Sequence, residues 1–297
     1  FEFSRVAFTV FGRNIYWYGI IIACGFLLAV IYAYARCKQF GITGDDIITM
    51  LIFAVPISII CARAYYVIFY YSLYNGDFLK MIRISDGGLA IYGGIIGAAA
   101  TVVVFCRVRK IKTGAFLDLG CLGLLIGQGI GRWGNFANKE AHGGVTDSFL
   151  RMGIYENGKL IYVHPTFLYE SLWNAAGFAF AHFLLRKRRK FDGEIFLFYL
   201  AWYGLGRMWI EGLRTDSLYL FGTGIRVSQL LAALCFLAAG ILLLVMLLKV
   251  KPGPEKLYVN QVAASKADAA DSNVPEQTEK TQAEQNMGDE QDGSNDH

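Results

Sequence analysis

Long apolar stretches recur along most of this chain, and they constrain its fold more than any other feature. Hydrophobic residues make up 55% of the 297 residues, charged residues only 18%, and the mean hydropathy is +0.40. That is too apolar for an ordinary soluble domain, and a bilayer-crossing helix needs roughly 20 apolar residues. The sequence therefore predicts an all-α polytopic membrane protein, a bundle of about seven transmembrane helices near residues 15–35, 47–70, 88–106, 114–131, 165–185, 194–211 and 226–249.

Basic residues follow every second predicted span and thereby indicate the orientation. They are Arg36 and Lys38 after span one, Arg107 to Lys112 after span three, Arg186 to Lys190 after span five, and Lys249 and Lys251 after span seven. Loops rich in Lys and Arg stay in the cytoplasm. We therefore expect the N-terminus outside and the C-terminus in the cytoplasm, an arrangement that requires an odd number of spans. The loops near 71–87, 132–164 and 212–225 are then extracytoplasmic.

The end of the chain differs in composition from the rest. Residues 251–297 are polar, rich in acidic and small side chains, and almost without aromatic residues. Such a segment cannot bury enough apolar surface to offset the entropy of an ordered chain. We expect two parts, a seven-helix transmembrane domain at 1–250 and an acidic, disordered cytoplasmic tail at 251–297.

Charged side chains interrupt several of the predicted spans. A charge at membrane depth costs on the order of 3 kcal/mol, and such a residue usually faces a partner, a cavity or a site. The residues in question are Arg63, Asp118, Glu170, Arg207 and Glu211. Arg207, Glu211 and Arg214 follow at intervals of four and three, so they share one helical face. An internal ion pair between Arg207 and Glu211 and a functional site explain this pattern equally well.

The balance of charge near the outer half of the bundle favours an anionic ligand. Four arginines, Arg63, Arg132, Arg207 and Arg214, outnumber the nearby acids Glu140 and Glu211. A guanidinium group can hold a phosphate through two parallel hydrogen bonds. The phosphate of a membrane phospholipid is therefore a natural partner for these side chains.

Glycine, aromatic and cysteine patterns add weaker predictions. The run from Gly127 to Gly131 is typical of close helix packing, whereas the run from Asp86 to Gly94 fits either packing or a broken segment that lines a cavity. Tyr16, Trp17 and Tyr18 are typical of an interfacial aromatic belt. The six cysteines show no C-x-x-C spacing, which indicates small core residues rather than zinc ligands or disulfides.

One segment resembles the signature of the bacterial prolipoprotein diacylglyceryl transferases. It reads Gly131-Arg132-x-Gly134-Asn135-Phe136-x-Asn138-x-Glu140-x-x-Gly143, which is long and specific. Four further blocks resemble the same family in order and spacing: Trp17 to Gly19, Gly87 to Gly94, His164 to Glu170, and Gly206 to Arg214. The resemblance covers about residues 10–250 and excludes the tail.

The resemblance implies a fold and an activity. The family is a seven-helix bundle with an outward N-terminus in the bacterial cytoplasmic membrane, and its active site is near the outer leaflet. Its members move the diacylglyceryl group of phosphatidylglycerol onto the lipobox cysteine thiol of a preprolipoprotein, which forms a thioether and releases glycerol 1-phosphate. Partners are therefore phosphatidylglycerol, the lipobox peptide and the bilayer, with no nucleic acid, no cofactor and no metal.

The resemblance also assigns roles to single residues. Arg132 and Arg207 bind the lipid phosphate and, with Glu140 and Tyr92, are the candidate catalytic residues. The remaining lipid-binding positions are Tyr18, Asn135, Gly143 and Glu211. The positions that match supporting residues of the family are Arg63, Asp118, His164, Glu170 and Arg214.

Tyr92 departs from the family pattern. Many members have a histidine there, which is a candidate general base, and a tyrosine with a pKa near 10 is a poorer base at neutral pH. We therefore expect Tyr92 to orient the substrate or donate a hydrogen bond to it, while either Glu140 or a phosphate oxygen of the lipid takes the thiol proton.

A small transporter or anion channel is the strongest alternative. Buried arginines and broken glycine-rich segments also line permeation paths. Transporters often contain internal repeats, however, and the arginine–glutamate pattern has no second copy in the other half of this sequence.

Overall fold

The structure is a computed structural model that describes residues 4–84, 87–156, 158–215, 226–249 and 253–271. Helices account for most of the described chain. Their bounds are α1 Trp17–Arg36, α2 Gly44–Phe69, α3 Phe78–Ile82, α4 Ile91–Val108, α5 Thr113–Asn138, α6 Thr166–Phe180, α7 Arg186–Arg188, α8 Glu194–Glu211, α9 Val227–Lys249 and α10 Tyr258–Asp271. A 3-10 turn, Cys37–Phe40, extends α1, and a π-helical turn, Ala181–Leu185, joins α6 to α7.

Each predicted span coincides with one long helical segment of the described chain, so the all-α polytopic fold class is confirmed. Five segments, α1, α2, α4, α5 and α9, are long and apolar enough to cross a membrane by themselves. The other two are α8, which carries three charged residues within 18 positions, and α6, which has 15 residues before the π-helical turn. The charges that lower the hydropathy of α8 include Arg207 and Glu211, two of the residues singled out from sequence.

Helix α5 is longer than the sequence indicated. The predicted span ended at residue 131, but the helix continues to Asn138. Lys139 then ends it in the left-handed region, with φ at 54°, and its backbone N–H bonds back to the helix. Arg132 and Asn135 are therefore held on a rigid helix, whereas the sequence placed them in an extracytoplasmic loop.

Small residues bring the helices into close contact. A Cβ on Gly25 of α1 would lie 3.3 Å from the Gly127 carbonyl oxygen of α5, and one on Gly97 of α4 would lie 2.8 Å from Cys61 Cβ of α2. The glycine run at 127–131 therefore packs against α1, as predicted. In the other glycine run, at 86–94, residues 87–90 precede α4 as a non-helical segment, and Asp86 lies outside the described residues.

Two ends of the bundle can be distinguished. At the tail end, where α5 and α8 begin, an apolar core includes Phe40, Leu119, Leu122 and Ile195, each at most 1% exposed. At the site end, where α5 and α8 end, two β-hairpins flank the bundle: β1 Val6–Val10 with β2 Arg13–Tyr16, and β3 Met152–Glu156 with β4 Lys159–Val163.

The predicted disordered tail needs correction at its start. Residues 254–256 form a 3-10 turn, and α10 follows at 258–271. Its first turn packs on the tail end of the bundle, because the Tyr258 N–H donates to Asp192 Oδ2 at 2.8 Å and Val259 lies against Gly41. Composition missed this segment because the helix is held by contacts to distant residues. Residues 250–252 and 272–297 lie outside the described part of the chain.

Candidate active site

Three arginines and two glutamates meet at the site end of the bundle and form the arginine cluster: Arg132 of α5, Glu170 of α6, Arg207 and Glu211 of α8, and Arg214 just after α8. Arg132 Nη2 lies 2.5 Å from Glu170 Oε2. Arg207 bridges both acids, with Nη1 3.1 Å from Glu170 Oε1 and Nη2 2.6 Å from Glu211 Oε2. Arg214 lies 3.9 Å from an oxygen of each acid. The ion pair between Arg207 and Glu211 that the sequence allowed is therefore present.

The cluster is shielded from solvent and carries an excess of positive charge. The side chains of Glu170 and Glu211 are 6% and 3% exposed, and those of the three arginines are 12% to 21% exposed. Three guanidinium groups face two carboxylates, which leaves one positive charge in this set. Because charge in such surroundings is expensive unless it is compensated, an anionic group is the type of ligand that suits these guanidinium groups.

Helices α6 and α8 are locked together beside Glu170 and Arg207 by a reciprocal tryptophan contact. The Trp173 indole N–H donates to the Trp202 carbonyl at 2.9 Å, and the Trp202 indole N–H donates to the Trp173 carbonyl at the same distance. The two rings stack with centroids 4.3 Å apart. Each indole lies over a glycine of the other helix, Gly206 or Gly177, where a Cβ would overlap the ring. Trp173 follows Glu170 by three positions and Gly206 precedes Arg207, so this contact fixes the acid against the guanidinium.

A second set of contacts holds the loop after α5 against the cluster. The Gly143 N–H donates to the His164 carbonyl at 2.9 Å, and the Gly144 N–H donates to the Leu213 carbonyl at 3.0 Å. A Cβ on Gly143 would lie 2.7 Å from His164 Cβ and 2.9 Å from the Leu213 oxygen. Only glycine fits this position without displacing a neighbour. Gly143 and His164 are thus placed beside Arg214, with which Gly143 forms an isolated β-bridge.

The structure does not bring every predicted site residue into contact with the cluster. Glu140 is exposed at the end of α5 and accepts a hydrogen bond from the Asn138 amide at 3.3 Å. The Asn135 carbonyl accepts from the Glu140 N–H at 3.0 Å. The Tyr18 ring packs against Gly134, where a Cβ would lie 2.9 Å from Tyr18 Cδ2. These residues surround the site end of α5.

Tyr92 stands in the first turn of α4 and is 46% exposed. Its nearest aromatic partner in the described chain is Tyr65 of α2, whose ring centroid is 6.5 Å away. The described contacts place Tyr92 on the α2–α4 pair, which packs beside α5 rather than within the arginine cluster. The assignment of Tyr92 as a candidate catalytic residue stays a prediction.

Arg63 and Asp118 bind backbone groups away from the cluster. The Arg63 guanidinium donates to the carbonyls of residues 80, 81, 87 and 88 at 2.6 to 2.9 Å, which ties the segment before α4 to α2. Asp118 is fully buried and accepts the N–H groups of Gly193 and Phe196 at 2.9 Å, so it caps α8 from α5. The supporting roles that the resemblance implied for Arg63 and Asp118 stay predictions.

Several contributors to the site were missed from sequence. The Asn174 amide donates to the Glu170 carbonyl at 2.7 Å, and the Arg226 guanidinium donates to the Glu211 carbonyl. Arg226 adds a fourth guanidinium group beside the cluster. The sequence did give a sign of Arg226, because an arginine at the predicted outer end of a span runs against the cytoplasmic bias of basic residues. The tryptophan contact had no such signal, since nothing in the sequence pairs Trp173 with Gly206.

Comparison with known proteins identifies the family of this chain. The family model for prolipoprotein diacylglyceryl transferase matches residues 5–246. A phosphatidylglycerol–prolipoprotein diacylglyceryl transferase of Clostridioides difficile is 45% identical over 217 residues, which are 73% of this chain and 86% of the relative. The corresponding proteins of Lactiplantibacillus plantarum and Geobacillus kaustophilus are 46% and 45% identical, over 75% and 74% of this chain and 82% and 83% of their own lengths. No such match points to a transporter or channel, and the chain belongs to the prolipoprotein diacylglyceryl transferase family.

Proposed function

We propose that this protein transfers the diacylglyceryl group of phosphatidylglycerol to the lipobox cysteine of preprolipoproteins. The observation that carries the proposal is the arginine cluster, in which three guanidinium groups from separate positions of the chain converge at the site end of the bundle. A phosphodiester carries one negative charge and accepts paired hydrogen bonds from guanidinium groups. Names of relatives at about 45% identity, which include both substrates, support the same reading.

The reaction fits a site built from arginines. The cysteine sulfur attacks the glycerol carbon that bears the phosphate oxygen, a C–S bond forms, and the C–O bond to that oxygen breaks. The electron pair of the broken bond stays on glycerol 1-phosphate, whose phosphate changes from a diester to a monoester and gains negative charge. Arg132 and Arg207 are held by Glu170 before substrate arrives, and such preorganised cations stabilise developing charge without reorganisation.

The thiol has to lose its proton during the attack, because the thiolate is the reactive form. In our proposal Glu140 accepts that proton, since it is an exposed carboxylate at the site end, held by the Asn138 amide. The Tyr92 hydroxyl orients the substrate by hydrogen bonding. Tyr18, Asn135, Gly143 and Glu211 complete the lipid head-group site around the end of α5.

The location of the site follows from the predicted orientation. The basic clusters after spans one, three, five and seven support an orientation with the site end of the bundle outside and the tail end in the cytoplasm. In this proposal the protein lies in the bacterial cytoplasmic membrane with its N-terminus outside. Phosphatidylglycerol is drawn from the outer leaflet, where the lipobox cysteine of a membrane-inserted preprolipoprotein is also available.

Product formation from two defined substrates tests the proposal. The purified protein is incubated with a lipobox peptide in phosphatidylglycerol vesicles, and the expected result is a peptide heavier by one diacylglyceryl group. Arg132→Ala should reduce the rate at least 100-fold, because it removes a cation from the leaving phosphate. Arg151→Ala is the matched control: Arg151 also contacts a carboxylate, Asp147 at 3.5 Å, but on the exposed surface. A full rate in Arg132→Ala, or no mass shift with the unaltered protein, would refute the proposal.

A further inference from the structure

Glu140 lies between two residues whose backbones are in the left-handed region. Lys139 has φ at 54°, and Ala141 has φ at 56°. This region is unfavourable for a residue with a Cβ, and glycine is the residue that usually occupies it. Another residue keeps such a conformation only where the surrounding groups hold it there. The contacts on either side of Glu140 therefore decide the direction in which its side chain leaves the backbone.

The left-handed backbone of Lys139 is explained by the end of α5. The Lys139 N–H donates to the Phe136 carbonyl at 3.0 Å, and the Glu140 N–H donates to the Asn135 carbonyl at 3.0 Å. This pair of bonds is a Schellman motif, a common way for a helix to end on a left-handed residue. The backbone before Glu140 is thus fixed by α5 itself.

The left-handed backbone of Ala141 is supported by a different helix. The Thr166 hydroxyl, in the first turn of α6, donates a hydrogen bond to the Ala141 carbonyl oxygen. Thr166 is fully buried, and its backbone N–H donates to the His164 carbonyl at 3.0 Å. The same His164 carbonyl accepts the Gly143 N–H at 2.9 Å. Thr166 therefore ties the residue that follows Glu140 to the start of α6.

We propose that Thr166 is a positioning residue for the transfer reaction: its hydroxyl holds Ala141 in the left-handed region and thereby directs the Glu140 carboxylate toward the lipobox thiol. The inference rests on the proposed function, in which Glu140 accepts the thiol proton. A proton acceptor has to lie within hydrogen-bond reach of that proton, and a displacement of about 1 Å can lower a rate by about 100-fold. In this role Thr166 acts through Glu140 rather than on the substrate.

Two substitutions of Thr166 separate its hydroxyl from its shape. Thr166→Val removes the hydroxyl at nearly constant volume, whereas Thr166→Ser keeps it. Thr101→Val is the matched control, because the buried Thr101 hydroxyl also donates to a carbonyl, that of Gly97 at 2.8 Å, but within α4. In the lipobox peptide assay Thr166→Val should lower kcat about tenfold, the upper value of one hydrogen bond, with KM within about twofold. Thr166→Ser and Thr101→Val should keep kcat within about twofold, and an unchanged kcat in Thr166→Val overturns the inference.

A double-mutant cycle distinguishes positioning from a general loss of structure. In a chain that already carries Glu140→Gln, Thr166→Val should lower the residual rate by less than about twofold, because its effect passes through a carboxylate that is already absent. Ala141→Gly should restore most of the rate that Thr166→Val loses, since glycine adopts the left-handed region without support. An equal tenfold loss in the Glu140→Gln chain, or no recovery with Ala141→Gly, means that Thr166 only supports the fold and overturns the inference.

Hydrogen exchange tests the holding contact without the reaction. The backbone amides of residues 140–144 should exchange about fivefold faster or more in Thr166→Val than in the unaltered protein, and at an unchanged rate in Thr101→Val. Equal exchange in Thr166→Val shows that the hydroxyl does not hold Ala141, and the inference then fails by itself. Failure of the proposed function has a different sign, because the unaltered protein would then form no diacylglyceryl peptide.

Discussion

Replacement of Arg207 by lysine tests the geometry of the cluster while keeping its charge. Arg207 uses two nitrogens at once, Nη1 for Glu170 at 3.1 Å and Nη2 for Glu211 at 2.6 Å. A lysine has one ammonium nitrogen and cannot reproduce a planar fork. The variant therefore loses at least one charge-assisted hydrogen bond, which contributes about 1.5 to 3 kcal/mol. We expect the free energy of unfolding to fall by about 2 kcal/mol.

The same change should affect catalysis by a comparable amount. If the guanidinium also grips the lipid phosphate with paired bonds, the loss of one of them lowers kcat/KM by about 10- to 100-fold. The rate is read from the mass of the lipobox peptide over time, and unfolding is followed in detergent by denaturant titration. Arg151→Lys serves as the control, because its partner Asp147 is fully exposed. A rate within twofold of the unaltered protein, with unchanged unfolding, would show that the fork geometry is irrelevant.

Four further substitutions, one of them with a control, test other parts of the molecule. Glu140→Gln should lower the transfer rate at least 100-fold, because it removes the proposed proton acceptor, whereas Tyr92→Phe should lower it less than tenfold. The opposite order of the two rates in the peptide assay would exchange the roles of these residues. Gly206→Ala should lower the free energy of unfolding by about 1 to 3 kcal/mol through overlap with an indole, whereas Gly240→Ala, which has open space around it, should be neutral in the same titration. Tyr258→Ala removes a side chain that packs against the apolar core at the tail end, so it should release the first turn of α10 and speed tryptic cleavage after residue 256. An unchanged digestion pattern would contradict that docking.

The helices and their order could be predicted because they depend on local hydrophobicity. Seven apolar stretches correspond to seven long helical segments of the described chain, and the glycine run at 127–131 makes a packing contact with α1. Helix ends were less predictable. The end of α5 at Asn138 is set by a capping geometry at Lys139 rather than by loss of apolar residues, so hydropathy ended the span seven residues early.

The members of the arginine cluster could be singled out from the sequence, but their arrangement could not. The arginines and Glu211 were found because charges are rare in apolar spans. Glu170 was expected to be supporting, yet it is the carboxylate that contacts all three arginines of the cluster. Sequence could not show this, because 37 positions separate Glu170 from Arg207 and their contact depends on how α6 and α8 cross. The same limit applies to α10, because its composition gives no sign of the contact between Tyr258 and Asp192, which are 66 positions apart.

The two carboxylates of the cluster also bear on turnover. Before any lipid arrives, Glu170 and Glu211 already occupy the guanidinium nitrogens of Arg207. If the lipid phosphate binds Arg207 as proposed, it has to share those nitrogens or exchange places with a carboxylate, so only part of the attraction appears as affinity. The same exchange works in reverse after the reaction, since a returning carboxylate helps expel the more highly charged monoester. A site lined by arginines alone would retain that product, whereas resident competing anions let it dissociate and free the enzyme for another cycle.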